Sequence, residues 1–578
     1  MSSVDQSANI LSESPPSIEY SLMKAHGIAA LLALIFSALI GAFIAVKMHM
    51  PDMAGAHAFT TWGRLRYDHT QGIFFGWLGN AFLMFMYHAV PRLANRPVLS
   101  TKLGWLIFGI WNFAVLLPGW GLVLAGYSQA LEWAEFPLVI DAFVVLSLIL
   151  SVAQFVVPVL KARLSKLYVS GWYIIGGFIF TALAYPVGNI VPQLVPGAQG
   201  AAFSGLWIHD AIGLYVTPLA LAMAYMVIPA VTKKPIYSHF LSMIGFWLLF
   251  FVYPLNGTHH YVFSAIPMEA QQAAIAASVL LGVDVILVVT NLLMSMKGSV
   301  DLFRQDLPLR FVCMGIIFYL IVSLQGSLQA LMPVNKLVHF SDWVIGHSHL
   351  AMLGFASFVA IGGITHAWKQ IPSAKYNNRA LSHAYWLLLI GVIFMVLDLS
   401  LAGLVEANVW QSGLPWIESV REVRKLWVAR SFVAIPIIGG FISLLVSMLT
   451  GPHNQTVIPV ESFAVQKSHE QSPAQEAGAT AGKRSYSILN MAYLSASVAG
   501  VGFFILSFGI LAIAPGLAIE SDLKKSKPVT MLPLTASENR GRDIYAREGC
   551  AYCHTQQVRA VASDVDRFGA TTRAWETV

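Results

Sequence analysis

An all-α protein that crosses a membrane many times is what this sequence predicts, and three observations predict it. Hydrophobic residues make up 57% of the chain and charged residues only 11%, where soluble proteins carry about 25% charged residues. The apolar residues fall in blocks of about twenty, the length a helix needs to cross a bilayer. Short polar loops separate the blocks, and positive charge gathers on alternate loops. The formal net charge of +6 is therefore no sign of a nucleic-acid partner, because basic loop residues set membrane orientation. The lipid bilayer is the partner that composition implies.

Taken in order, residues 1–21 are polar and partly acidic and read as a cytoplasmic N-terminus with no cleavable signal. Spans follow near 22–47, 70–90, 104–126, 137–160, 168–191, 203–231, 238–262, 269–296, 309–332, 342–367, 382–405 and 428–450, with a further one near 490–516. One set of alternate loops carries Arg92, Arg96 and Lys102, then Lys161, Arg163 and Lys166, then Lys233 and Lys234, then Lys297, Arg304 and Arg310, then Lys369, Lys375 and Arg379. The loops at 127–136, 192–202 and 263–268 have no Lys or Arg, so the basic set is cytoplasmic. Arg421, Arg424 and Lys425 go against the rule. Residues 452–487 are polar, rich in Pro, Ser, Ala and Gln, and patternless, which predicts a flexible cytoplasmic linker. A helix at 488–516 then crosses outward and leaves 517–578 on the outer side.

Six of the 17 histidines stand out: His69, His209, His259, His260, His347 and His349. All fall at the outer ends of spans, at similar depth, where an imidazole needs a partner. His347 and His349, in "WVIGHSHLAMLG", are two residues apart and so about 200° apart around a helix. They predict two ligands serving two different sites. Three imidazoles (His209, His259, His260) suit copper, and histidines facing planar macrocycles suit haem. The alternative for each one is a histidine bonded to a neighbouring helix. Of the three cysteines, Cys313 lies in an apolar run and reads as a small core residue. Cys550, Cys553 and His554 form C-x-x-C-H, the attachment signature of haem c; a redox dithiol or part of a zinc site are its alternatives.

The motifs "WGRLRYDHT", "GYSQALEWAEF", "IHDAIG", "YPLNGTHHYVF" and "HFSDWVIGHSHLAMLG" resemble those of the catalytic subunit of cbb3-type cytochrome c oxidases, the C family of haem–copper oxidases. The resemblance implies a twelve-helix haem–copper oxidase bundle over 22–451. The helix 488–516 and the tail 517–578 resemble the start of the oxidase's monohaem cytochrome c subunit, so the chain reads as a fusion with one extra transmembrane helix and a partial cytochrome c tail.

By this resemblance His69 and His349 are the axial ligands of a low-spin haem b, and His347 is the proximal ligand of a high-spin haem b. His209, His259 and His260 hold copper. Tyr253 is the active-site tyrosine, cross-linked to His209. Arg64, Arg66, His339 and Asp342 stand where contacts to haem propionates are expected, Glu132 and Glu135 match a calcium site, and Tyr237 and Ser242 resemble the entry of a proton channel. Where the family carries a glutamate, this chain has Gln325, and Asp284 and Asp398 are acids inside spans where none is expected. Each is either part of an altered proton route or locally paired.

The implied function is a terminal respiratory oxidase of the inner (plasma) membrane, passing electrons from cytochrome c through haem c and haem b to reduce O2 to water, with proton uptake from the cytoplasm and pumping. Implied partners are further cytochrome c subunits and a soluble or membrane cytochrome c donor. The alternatives are a nitric oxide reductase of the same superfamily, which lacks the tyrosine, and a non-catalytic haem-binding relative. No Met, His or Cys follows His554, so the second axial ligand of haem c is expected from further chain or from a partner.

Overall fold

The structure is a computed structural model. It describes residues 17–55, 57–129, 131–161, 167–195, 197–454, 488–526, 534–552 and 555–577. Among these there is no strand, only an isolated bridge between Lys375 and His453. Thirteen helices are long and apolar enough to cross a membrane. They are α1 (Tyr20–His49), α2 (Trp62–Ala94), α3 (Thr101–Leu124), α4 (Leu138–Leu160), α5 (Val169–Leu194), α6 (Gly197–Thr232), α7 (His239–Tyr261), α8 (Met268–Met294), α9 (Leu307–Ala330), α10 (Asp342–Trp368), α11 (Asn378–Gln411), α12 (Trp416–Leu449) and α13 (Val498–Asp522).

Local chemistry sets many of the helix ends. Ser100, Ser238, Asp306 and Asn377 accept the first free backbone N–H groups of α3, α7, α9 and α11 with their side chains. Left-handed residues close α2 and α6, at Asn95 (φ 48°) and Lys233 (φ 56°). The polar N-terminal start of α2, "WGRLRYDH", begins eight residues before the expected span. It is helical because Arg64, Tyr67 and Asp68 are buried against protein, so it has no apolar lipid face for a sequence to reveal. Likewise α12 starts at Trp416, and Arg421, Arg424 and Lys425 are exposed on its first turns and not in a loop.

Three helices form the centre. The apolar windows of α2, α6 and α10 are 94%, 94% and 89% buried, against 33–61% for the others. The outer helices expose Phe113, Phe394, Phe432 and other large apolar side chains, as a lipid-facing surface does. The expected site histidines lie on the three central helices and at the end of α7. Wide π-turns start three, two and one residues after His69, His209 and His349; such turns re-aim side chains and gather at functional sites.

The tail packs on the bundle end where α2 begins. α13 lies against α5 and α7 through Phe504 on Phe180 (4.8 Å) and Phe503 on Phe251 (5.4 Å). Beyond it, helices α14 (Ala536–Arg547) and α15 (Ala562–Phe568) follow. Glu548 pairs with Arg64 at 2.6 Å, Tyr67 Oη donates to Ala546 O at 2.8 Å, and Ala560 N donates to Phe263 O at 3.0 Å. The expected linker 452–487 lies outside the described residues apart from 452–454.

Candidate functional site

Helix α6 supplies His209. Helix α7 is regular only to Val252 and then tightens into two 3-10 turns, Tyr253–Leu255 and Gly257–Tyr261. Pro254 cannot donate to the helix ladder and helps end it. Gly257 permits the second turn, since a methyl group there would lie 1.6 Å from Gly205 O. Ser204 Oγ meets Tyr261 Oη at 2.6 Å and ties the end of α7 to α6.

The result brings three imidazoles together. Ring centroids lie 4.5 Å apart for His209 and His259, 5.3 Å for His209 and His260, and 4.6 Å for His259 and His260. One nitrogen from each lies within 4.8 Å of the others. Among the described residues this is the one group of three or more ligand-type side chains close enough to share an ion. His259 Nδ1 is 2.6 Å from Ser278 Oγ, whose own proton goes to Ala274 O at 2.8 Å. The hydroxyl oxygen therefore accepts from His259 Nδ1–H, which leaves Nε2 as a lone-pair donor. All-nitrogen donors in a half-buried trio suit copper.

Tyr253 stacks on His209, with ring centroids 5.0 Å apart and 26° between planes. Gly213 makes room for it: a methyl group there would lie 1.8 Å from Tyr253 Cδ1. His209, Tyr253, His259, His260 and His347 all line one cavity, together with Glu132, Tyr319 and His339. Gln325 Oε1 accepts from His347 Nδ1–H at 3.2 Å, so His347 Nε2 is its available donor. The amide keeps the acceptor a carboxylate would provide, without an exchangeable proton.

His349 belongs to a second arrangement. Its ring faces that of His69 at 6.3 Å with 21° between planes. Both Nδ1–H groups donate to backbone carbonyls, His69 to Ser37 O at 2.7 Å and His349 to Ile345 O at 2.8 Å. Two metal–nitrogen bonds of about 2.0 Å, plus about 1.1 Å from each nitrogen to its ring centre, give the spacing of a bis-imidazole iron. The pair fits an iron macrocycle held between α2 and α10.

The other expected residues are placed as follows. Arg64 bonds Glu548 through Nη2 and Nε (2.6 and 3.2 Å) and Leu124 O through Nη1 (2.8 Å). Arg66 Nη1 bonds Glu135 Oε1 at 3.0 Å, and Gln71 also donates to Glu135. Glu135 is thus engaged by Arg66 and Gln71, whereas Glu132 lines the cavity. Burial pushes the Glu132 carboxyl above its ordinary range, against the pull of Arg66.

His339 Nδ1–H donates to Asn335 Oδ1 (3.2 Å), and its ring stacks on Phe340. Burial, with Arg559 and His260 adding to it, lowers its pKa to about 3. Asp342 takes Arg430 Nη2 at 2.5 Å and Trp427 Nε1 at 2.9 Å, and Arg430 Nε also reaches Asp398 at 3.2 Å. Asp398 is therefore locally paired.

Asp284 is fully buried, and neither oxygen has a hydrogen-bond partner among the described residues. Tyr237 is exposed just before α7, its N–H on Ser295 Oγ at 2.8 Å. Ser242 Oγ accepts from Asn291 Nδ2 at 2.7 Å. Cys550 is half-buried in the tail, while Cys553 and His554 lie outside the described residues.

Sequence reasoning missed Ser278, Asn291, Gly213, Arg430 and Tyr319. Of these only Arg430, a lone cation in an apolar run, carries a signal a sequence can raise.

Comparisons with known proteins follow the geometry. The family model "Cytochrome C and Quinol oxidase polypeptide I" matches residues 21–436, and the model "Cytochrome C oxidase, mono-heme subunit/FixO" matches 491–578. A cytochrome c oxidase subunit 1 homolog of Agrobacterium tumefaciens is 29% identical over 64% of this chain and 71% of its own length. The cbb3-type cytochrome c oxidase subunit CcoN1 of Stutzerimonas stutzeri is 28% identical over 68% of this chain and 85% of its own. A cryo-EM structure of a heme-copper terminal oxidase dimer shares the fold, with a TM-score of 0.66 at 14% identity over 92% of this chain and 98% of that one. With a clustered histidine trio, a facing histidine pair and a family match over most of its length, the chain belongs to the cytochrome c and quinol oxidase polypeptide I family, and it carries a match to the mono-heme cytochrome subunit on the same polypeptide.

Proposed function

We propose that this chain is the catalytic unit of a cbb3-type terminal oxidase that takes electrons from cytochrome c and reduces O2 to water. The observation that carries the reading is Tyr253 stacked on His209 at 5.0 Å beside the three clustered imidazoles. A phenol there can give one proton and one electron while the O–O bond is split.

His209, His259 and His260 would hold copper, with Ser278 orienting His259. His347, oriented by Gln325, would bind the high-spin haem b iron, and His69 and His349 the low-spin one. When bound, these groups supply electron storage and a reduced metal pair for oxygen. Cys550, Cys553 and His554 would hold haem c at the entry for electrons. Protons would enter from the Tyr237 and Ser242 side of an inner (plasma) membrane whose cytoplasmic face carries the basic loops. Further oxidase subunits and a cytochrome c donor are the partners this reading requires.

Nitric oxide reduction is the second reading, and Gln325 in place of an acid is the observation on its side. Oxygen uptake by the purified protein with reduced cytochrome c, measured beside nitric oxide consumption, tests both. Turnover with O2 well above that with NO supports the oxidase; NO consumption without O2 uptake overturns it.

A further inference from the structure

Asp284 sits in the middle of α8, fully buried, in a span where a carboxyl has no structural reason to be. Among the described residues no guanidinium or ammonium group pairs with it. The ionisable groups facing it from the packed elements are tyrosines: Tyr173 of α5, Tyr225 of α6, Tyr253 at the end of α7 and Tyr319 of α9. Tyr173 and Asp284 close on one point, since a methyl group on Gly245 would lie 3.5 Å from Asp284 Oδ1 and 3.8 Å from Tyr173 Oη. The hydroxyls of Tyr173 and Tyr319, like both Asp284 oxygens, are buried without a hydrogen-bond partner among the described residues. Unsatisfied polar groups of this kind are rare and call for a reason.

The place of Asp284 along α8 supplies one. On the cytoplasmic side, Asn291 donates to Ser242 Oγ at 2.7 Å and to Tyr225 Oη at 3.3 Å, and accepts from Ser238 N at 2.8 Å. Asn291 is two turns from Asp284 on the same stripe of α8, about 10 Å along the axis. On the other side, Tyr319 and Tyr253 line the cavity. Asp284 thus stands between a polar network that starts near the surface and the cavity that needs protons, and Tyr225 stacks on Tyr173 (5.7 Å) across the gap. Gln325, beside His347, cannot exchange a proton. A buried carboxyl with no cation near it is cheapest as the neutral acid, which is the form that can give a proton on.

We propose that Asp284 is a proton-transfer residue linking the Ser242–Asn291–Tyr225 network to Tyr319 and the cavity. Asp284 gives its carboxyl proton toward Tyr319 and is reprotonated from the Tyr225 side; each cycle moves one proton forward and restores the acid. This deepens the oxidase reading and rests on it for the use of the protons.

The test uses the purified full chain with its haems and copper, as wild type, Asp284→Asn and Asp284→Glu. Turnover is followed against pH with O2 and, separately, with NO as acceptor. The infrared band of a buried protonated carboxyl is recorded in H2O and D2O. The expected result is a loss of turnover of roughly tenfold to a hundredfold in Asp284→Asn, an altered pH profile, unchanged haem spectra, loss of one component of the carboxyl absorption with those of other buried acids such as Asp68 and Asp210 retained, and recovery of most of the rate in Asp284→Glu. Wild-type rate and pH profile in Asp284→Asn, with whichever acceptor the wild type uses, would overturn the proposal, as would a carboxyl absorption identical in wild type and Asp284→Asn. A wild type that consumes NO but no O2 sinks the oxidase reading and leaves the Asp284 comparison decisive; a wild type that turns over neither acceptor overturns both.

Discussion

Gly213→Ala tests the joint between α6 and α7 on which the site depends. A methyl group on Gly213 would lie 1.8 Å from Tyr253 Cδ1, 1.9 Å from Cε1 and 2.5 Å from Cγ. Carbon atoms rest at about 3.5–4.0 Å, so the phenol ring has to retreat by roughly 1.7 Å or more. Tyr253 is only 9% exposed and Gly213 is buried in α6, so the ring has little room to turn, and overpacking of this kind costs about 1–3 kcal/mol. The retreat parts Tyr253 from His209, now stacked at 5.0 Å. A misplacement of about 1 Å near reacting groups costs on the order of a hundredfold in rate. The assay is oxygen uptake, with a peptide map for the expected Tyr253–His209 cross-link and an optical spectrum of the low-spin haem as the check on folding. The spectrum should persist, because His69 and His349 lie elsewhere, while turnover and cross-link fall together. A variant with wild-type turnover and an intact cross-linked peptide would refute the reasoning.

The other expectations are briefer. His260→Ala should lose copper, because three nitrogen donors fall to two; metal analysis should show this with the low-spin haem spectrum retained. Tyr253→Phe should keep haems and copper but lower O2 turnover by roughly a hundredfold or more, read by oxygen electrode beside the same spectra. Glu548 is partly buried, which works against its charge, yet bonds from Arg64, Thr61 and Arg547 hold its carboxyl below the ordinary range. A lowered carboxyl stabilises above its unfolded value and loses that contribution as pH falls. Docking of the tail on Arg64 should therefore weaken from about pH 4.3 downward, and Glu548→Gln should weaken it at neutral pH. Limited proteolysis between residues 534 and 577 measures both, and equal protection of wild type and variant at all pH values would contradict the assignment.

What this sequence determined by itself follows from local properties. Span count is a matter of run length and hydrophobicity, so the helical membrane class and the long apolar helices were legible without a structure. Ligand types are equally local: six histidines at one end of the spans, and a tyrosine six residues before a histidine pair, already pointed to metal chemistry. The family motifs narrowed that to copper and haem.

Only the tertiary structure decided which groups meet. Asp284 and Asp398 look alike in sequence, yet Asp398 is paired with Arg430, whereas the ionisable groups facing Asp284 among the described residues are tyrosines. Arg64 reaches Glu548, a residue 484 positions away. Helix starts at Trp62 and Trp416 escaped the hydrophobicity pattern because one polar segment is buried in protein and the other stands clear of the apolar core. The physical reason is common to all of these: polarity and length are written residue by residue, whereas a partner is chosen by helix rotation and packing against segments far away in the chain.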